Sequence, residues 1–241
     1  MRSLLLVAAV SLVSCFEKKA PAPPPREKPQ PIEPLLQVVA DAGDEDALFH
    51  VVPFKPTGPA IPPGVVTVAL HGEKYELPAE GPVLLVPDAD TYVAEVAPLL
   101  EKLADSKREV WLKHPDIDAA YKLTLRDAPQ FQAWIDEPVP GKVRVIHRQD
   151  GFELTTNLGK LMGGDPNGPT VPVRGGQMDL TTLQRGFSRV QDRFKDAPDV
   201  CFVPAFGLEL SQVARAIAVN YFTPEKPYFK EVCLVYPRPA K

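Results

Sequence analysis

The stretches Val83-Leu84-Leu85-Val86-Pro87 and Val200-Cys201-Phe202-Val203-Pro204 decide how this chain folds, because they repeat one pattern at two places. Each is a short apolar run closed by proline, which is typical of a buried β-strand. The residues that follow also match without a gap, since 92–100 and 209–217 place apolar side chains at steps of three and four. That spacing predicts a helix with one buried face in each copy.

A second strand completes each copy. Glu109–Leu112 corresponds to Glu231–Leu234, and a proline follows each run. We expect these strands to lie parallel to the first strand of their copy, with a right-handed crossover. Upstream, Val68–Leu77 matches Val171–Leu180, and both alternate apolar residues around a glycine turn, which predicts a hairpin in each copy. The predicted fold class is therefore α+β, with two related strand-helix-strand modules and hairpins.

The two copies differ after the hairpin. In the second copy the pattern of Thr182–Phe194 predicts an amphipathic helix, with Thr181 or Thr182 as its N-cap. In the first copy, residues 78–82 lead directly to the strand. Between the copies, Asp150-Gly151 is a strong turn signal and predicts a hairpin over Val143–Leu154.

The N-terminus predicts export and lipid attachment. Residues 1–14 have a positive start and an apolar core too short to span a bilayer, which indicates a signal peptide. It ends in Leu12-Val13-Ser14-Cys15, a pattern in which Cys15 becomes acylated and forms the first residue of the mature protein. The alternative is an ordinary signal peptide with a chance cysteine. Several acyl chains on Cys15 would hold the protein to a membrane.

A spacer follows the lipidation site. Residues 15–63 are rich in proline, which fixes φ and removes amide donors, so we expect an extended, unpacked linker in polyproline II conformation. A proline-rich ligand for a partner groove is the alternative. The predicted organisation then continues with a first module at 64–118, a connecting hairpin and loop at 119–168, and a second module at 169–241.

Composition restricts the partners. The formal net charge is −4 and no basic stripe occurs, which argues against nucleic-acid binding. No second apolar run approaches membrane-spanning length, so we expect the body to meet the membrane only through the lipid. Cys201 and Cys233 occupy corresponding places on neighbouring strands of the second copy, which allows a disulfide or two buried thiols.

The sequence patterns predict no catalytic site, no metal site and no cofactor. His50, His71, His114 and His147 stand isolated on different segments, which favours surface positions over metal ligation. Acidic residues lie where a strand ends and a helix begins, and capping explains them better than acid-base work; they are Asp88, Asp90 and Glu95. The Gly163–Gly168 loop lacks the lysine and helix of a phosphate cradle and is predicted to be a turn, and no nucleophile-elbow motif occurs.

The second copy, from about 170 to 237, resembles the periplasmic domain of the ExbD/TolR family. The order of hairpin, helix, short strand, helix and closing strand carries the resemblance, and Val83–Asp90 of the first copy is similar to the V-x-V-x-A-D strand pattern of that family. The resemblance implies a periplasmic α+β module that dimerises, binds cell wall or contacts envelope proteins. Family members carry a transmembrane helix with a proton-coupling aspartate, which the signal peptide and lipid replace here.

The function expected from these features is that of a non-enzymatic envelope lipoprotein that binds or braces a protein or peptidoglycan partner, with homodimerisation as a further expectation. Phe16 is not the aspartate that retains many lipoproteins at the inner membrane, so the outer membrane is favoured. The alternatives are an envelope hydrolase whose site is assembled from distant residues and a tethered carrier of a small ligand.

Overall fold

In the part of the chain that the structure describes, a mixed sheet of eleven strands carries the fold, and four helices accompany it. The computed structural model describes residues 53–237 except 140, 162, 164 and 196, so Cys15, His50, the signal peptide and most of the proline-rich segment lie outside the described residues. The strands are β1 (Val66–Leu70), β2 (Val83–Pro87), β3 (Val110–Lys113), β4 (Ala120–Arg126), β5 (Val143–Arg148), β6 (Gly151–Thr156), β7 (Gly159–Lys160), β8 (Val171–Arg174), β9 (Gln177–Met178), β10 (Asp199–Pro204), β11 (Tyr221–Thr223), β12 (Lys226–Pro227) and β13 (Glu231–Val235). The helices are α1 (Val93–Asp105), α2 (Ala128–Asp136), α3 (Leu180–Arg193) and α4 (Leu210–Ala218).

The strand order in the sheet is β1-β2-β3-β4-β13-β10-β5-β6-β8-β9, with β7 beside β6. Strands β1, β2 and β3 are mutually parallel, and so are β4, β13, β10 and β5. The pairing of β3 with β4 is antiparallel, which reverses the strand direction between the two groups. Strands β11 and β12 form a separate small hairpin between α4 and β13.

The two predicted strand-helix-strand units are confirmed. β2-α1-β3 and β10-α4-β13 each have parallel strands in the same relative register, since Val83 pairs with Val110 and Val200 pairs with Val232. Tyr92 and Glu209, which correspond in the repeat, are the N-caps of α1 and α4. The predicted apolar positions within both helices are buried, whereas Tyr92, which the pattern placed on the same face, is 39% exposed.

The two units meet at these N-caps in a reciprocal way. The amide of Val93 donates to the Leu208 carbonyl at 2.9 Å, and the amide of Leu210 donates to the Thr91 carbonyl at 2.8 Å. Because Val93 corresponds to Leu210 and Thr91 to Leu208, each unit gives and receives the same bond. Such self-complementary contacts are those expected around a two-fold axis.

The upstream match of the repeat was wrong. Val171–Leu180 does contain the hairpin β8–β9, but β8 pairs with β6 and not with β10. The strand beside β10 is β5, just as β1 lies beside β2. The hairpin predicted at Val143–Leu154 is present as β5–β6. These two strands therefore belong to the second unit, although the sequence analysis placed them in a connecting segment.

Alternation along the central strands divides the core between the two faces of the sheet. Val200 and Phe202 of β10 join the main apolar cluster, to which the buried faces of α1, α3 and α4 also contribute. Cys201 and Cys233 point to the other face, where Trp134 of α2 covers them in a smaller cluster. This is the period of two that a strand buried on both faces must show.

The repeat did not determine where the two helices α2 and α3 begin. For α3 the N-cap is Asp179, whose carboxylate accepts from the amide and the hydroxyl of Thr182, so the assignment of the cap to Thr181 or Thr182 was wrong. The short helix α2 was not predicted. It begins after Asp127, which forms a capping box with Gln130.

The C-terminal end of the proline-rich segment contacts the folded body. The Phe54 amide donates to Oγ1 of Thr181 at 2.9 Å, and the Pro59 carbonyl accepts from the amide of Ala120 at 3.0 Å. The Thr57 carbonyl accepts from the Tyr121 hydroxyl. Residues 54–59, which composition assigned to the spacer, therefore pack against α3 and β4. Within residues 53–237, no helix has the length and apolarity needed to cross a membrane.

Candidate functional site

A groove lies beyond the carboxyl ends of β5 and β10. Gln149 follows β5 directly, and Gly207, Leu208 and Glu209 follow β10. These strands are neighbours, but β10 continues through α4 to β13 on one side while β5 turns back into β6 on the other. In sheets with parallel strands, such a divergence opens a crevice where ligands bind.

Part of the remaining wall comes from elements that the first unit lacks. The hairpin β8–β9 contributes Val173, Gly176, Gln177 and Met178, and Leu180 begins α3. On the opposite side lie Gln212 and Arg215 of α4, with Tyr92 from the first unit. The groove has a volume of about 590 Å³, which is within the range of small-molecule and peptide sites.

The chemistry of these walls is that of a binding surface for a polar chain. Three glutamine amides provide paired donors and acceptors, while Met178, Leu180 and Leu208 provide apolar contact. The described walls hold no serine, cysteine or histidine. Carboxamides pair with amides or hydroxyls, and Glu209 and Arg215 add a carboxylate and a guanidinium to the same lining.

Arg215, which lines the groove, forms an ion pair with Asp116. The Arg215 guanidinium donates to both carboxylate oxygens of Asp116, at 2.7 and 3.1 Å. This contact raises the pKa of Arg215 and lowers the pKa of Asp116. Arg215 and Glu209 also line a smaller cavity of about 320 Å³ at the ends of β2 and β3, so the two cavities share a wall.

The acidic residues near α1 have structural roles. Glu95 accepts from the Tyr92 amide and caps the helix, as predicted. Asp88 holds the preceding turn by accepting from the Asp90 amide and the Thr91 hydroxyl. The Thr91 hydrogen bond is the main cause of the lowered pKa of Asp88.

Two of the four histidines are buried, so their prediction as surface residues was wrong. His71 is exposed and contacts Asp88 at 2.9 Å. His114 and His147 are each about 1% exposed, and burial lowers the pKa of both. In the described part of the chain no group of three metal-ligating side chains comes together.

Residues 165–168 of the Gly163–Gly168 loop form a turn, as predicted. The Asn167 amide donates to the Asp165 side chain, and the Gly168 amide donates to the Asp165 carbonyl.

Cys201 and Cys233 form a disulfide between β10 and β13, where they are direct neighbours in register and their Cα atoms are 4.4 Å apart. Both residues are fully buried. Nη1 of Arg126 lies 3.1 Å from Sγ of Cys201, and the same side chain lies near the Asp199 carboxylate. Trp134 covers the pair and donates its indole N–H to Asp199. The disulfide therefore links the two strands beneath a helix and faces away from the groove.

Sequence reasoning did not find the groove, because its walls come from six segments without a shared motif. The one signal present was the extra helix of the second copy, which marks an insertion. Comparison with known proteins adds no assignment: no protein-family model, no curated protein and no solved structure matches this chain.

Proposed function

We propose that this chain is a non-enzymatic envelope lipoprotein, anchored through a lipid on Cys15, that binds a peptide-containing partner in the groove beyond β5 and β10. The groove carries the proposal, since its walls combine glutamine amides with apolar side chains at the usual ligand position of a parallel sheet. Its partner is an envelope protein or peptidoglycan, both of which present amides. The proline-rich segment before Phe54 serves as the spacer, and the outer membrane is the favoured location.

The resemblance to the ExbD/TolR periplasmic domain supports the same role. Two related strand-helix-strand units within one chain, joined by reciprocal bonds at Val93 and Leu210, would make a dimer-like module without a second chain. The insertion β8-β9-α3 then gives one unit a groove that the other lacks. A second copy of the chain remains a candidate partner, which native mass spectrometry would detect.

Gly207 offers a direct test of the groove. A side chain added there would meet open space, and its backbone is not in the left-handed region, so Gly207→Trp should fill the groove without strain. Leu158→Trp is the matched control, because Leu158 is 66% exposed and does not line the groove. Envelopes carrying each full-length variant would be cross-linked, and the captured protein and peptidoglycan fragments measured.

We expect wild type and Leu158→Trp to recover the same partner, and Gly207→Trp to recover at least about tenfold less. Recovery of no partner by wild type, or equal recovery by both variants, would contradict the proposal. Mass spectrometry of the mature N-terminus tests the anchor separately, since an unmodified thiol on Cys15 would remove the tether.

A further inference from the structure

The first unit contains a hairpin whose two segments separate after the turn, whereas the equivalent hairpin of the second unit is paired along its length. Val66–Leu77 and Val143–Leu154 align without a gap, with valine at the first and third positions and Glu-Leu at the end of both. The sheet confirms this equivalence, because Val66 pairs with Val83 just as Val143 pairs with Val200. β1 therefore corresponds to β5, and residues 74–79 correspond to β6.

The second unit pairs this hairpin along its whole length. Arg148 pairs with Gly151, Ile146 with Glu153 and Arg144 with Thr155. In the first unit the equivalent of the first pair is present, since His71 and Lys74 exchange both backbone hydrogen bonds, at 3.2 and 3.1 Å. After this pair the two segments separate, and residues 75–78 form no strand with β1.

Pro78 gives a covalent reason for the separation. It stands where the second unit has Thr155, and proline has no N–H to donate to a neighbouring strand. Arg108 then fixes the separated segment: its guanidinium donates to the carbonyls of Pro78, Glu80 and Gly81 at 2.6 to 2.9 Å. The hairpin of the first unit is thus held open by its own residues.

The separation leaves a cavity of about 880 Å³, which we call the β1 slot. Its walls are β1 and the segment 73–78. In a parallel pair of strands, the backbone N–H and C=O groups of alternate residues point to the neighbouring strand. The Val66 amide donates to the Pro82 carbonyl, so the backbone groups of Val68 and Leu70 also point to β2. The backbone groups of Thr67 and Ala69 consequently face the slot, and β1 has no neighbour there among the described strands.

We propose that the β1 slot binds an extended segment of a partner protein, which adds to the sheet as a strand antiparallel to β1. The second unit is the template, since β6 occupies the equivalent edge of β5 in that direction. An unpaired edge strand is an aggregation hazard that proteins normally cover or interrupt, and a recognition site uses the same free groups. The expected ligand has apolar side chains at alternate positions, as Phe152 and Leu154 are in β6.

The slot selects a single strand over a second copy of this chain. A strand that already belongs to a sheet has a neighbour about 4.8 Å away on its other side. The segment 73–78, which Arg108 holds, forms the wall of the slot opposite β1. We therefore expect this wall to hinder the β1 edge of another copy, whereas a single extended peptide brings no second strand with it. This surface is separate from the groove, so either proposal can fail without the other.

Amide hydrogen exchange of the full chain, resolved by residue, tests the slot with an internal control. In the free protein, the amides of Thr67 and Ala69 should exchange at least about tenfold faster than those of Arg144 and Ile146, their paired equivalents. The probe is a synthetic peptide of residues 149–157, blocked at both ends, which contains the sequence of β6. This peptide should slow the hydrogen exchange of the Thr67 and Ala69 amides by at least about tenfold. The same peptide with N-methyl groups on the Glu153 and Thr155 amides, which face β5 in the hairpin, should not.

Pro78→Thr restores the missing donor and should close the hairpin, which slows the exchange of Ala69 and abolishes peptide binding. Pro115→Thr, a proline outside the slot, is the control and should behave as wild type. The proposal is overturned if Thr67 and Ala69 are already as protected as Arg144 and Ile146 in the free chain. It is also overturned if millimolar peptide protects neither amide, or if Pro78→Thr binds the peptide as wild type does.

Discussion

Replacing His147 with leucine should stabilise the protein, and increasingly so as the pH falls. His147 lies on β5 with about 1% exposure, and its ring packs against Phe152 with centroids 4.6 Å apart. Neither ring nitrogen has a hydrogen-bond partner among the described residues. Leu70 is the equivalent residue in the first unit, so the variant His147→Leu installs the side chain that the same strand already accommodates.

The magnitude follows from the pKa of the buried ring. Burial lowers the pKa of His147 to about 4, whereas an unfolded chain titrates near 6.5. Between these values the unfolded chain binds a proton that the folded chain does not, so stability falls as the pH decreases through this window. Between pH 7 and pH 5 this linkage removes about 2 kcal/mol from the wild type and nothing from the variant. At pH 7 the variant gains a further ~1 kcal/mol, because no unpaired nitrogen remains buried.

The assay is urea unfolding of the full chain at pH 7 and pH 5, for wild type, His147→Leu and the control His71→Gln. His71 is exposed, so its replacement removes a histidine without changing the core. We expect the free-energy difference between His147→Leu and wild type to grow by about 2 kcal/mol on going to pH 5. Equal pH dependence in the variant and the wild type would show that the ring is protonated or solvated in the folded state, and would refute the reasoning.

Three further predictions concern stability. Replacing Cys201 and Cys233 together by alanine opens a loop with a sequence separation of 32 and should lower the free energy of unfolding by about 3 to 4 kcal/mol, measured by urea unfolding against the disulfide-bonded wild type. Gly151→Ala should lose about 3 kcal/mol or more in thermal unfolding, because φ is +140° and the added Cβ would lie 2.1 Å from the Val171 carbonyl oxygen; unchanged stability would contradict this geometry. Asp179→Ala removes the N-cap of α3 and should lower stability by about 1 kcal/mol, whereas Asp179→Asn should lose much less.

The sequence predicted the fold well wherever one short pattern was repeated. The strands β2 and β10 carry apolar runs closed by proline, and the helices after them share a three-and-four spacing, so each element supports the assignment of its counterpart. The parallel pairing of β2 with β3 and of β10 with β13 followed from that order. Local pattern and topology agree here, which is why the prediction held.

Prediction from the sequence was weaker where tertiary contacts determine the structure. The α2 segment shows little helical periodicity and is fixed by Trp134, which covers the disulfide on the second face of the sheet. His147 occupies a core position that usually holds an apolar residue. Because it stands isolated in the sequence from other possible metal ligands, it was predicted to be a surface residue. The hairpin at Val68–Leu77 was matched to the wrong counterpart, because a glycine turn resembles many others in so short a stretch. The pairing of Val66 with Val83 resolves the ambiguity.

Both candidate surfaces arise at one point of divergence between the two units. After Leu154 the second unit completes its hairpin and adds β8, β9 and α3 before it reaches β10, and this insertion builds the groove. After Leu77 the first unit has Pro78 and a short connection to β2, which leaves the hairpin open and the β1 edge free. The shared core of each unit is conserved in register, so these differences do not affect its packing. A chain with two related units can thereby present two different surfaces for extended ligands on one scaffold.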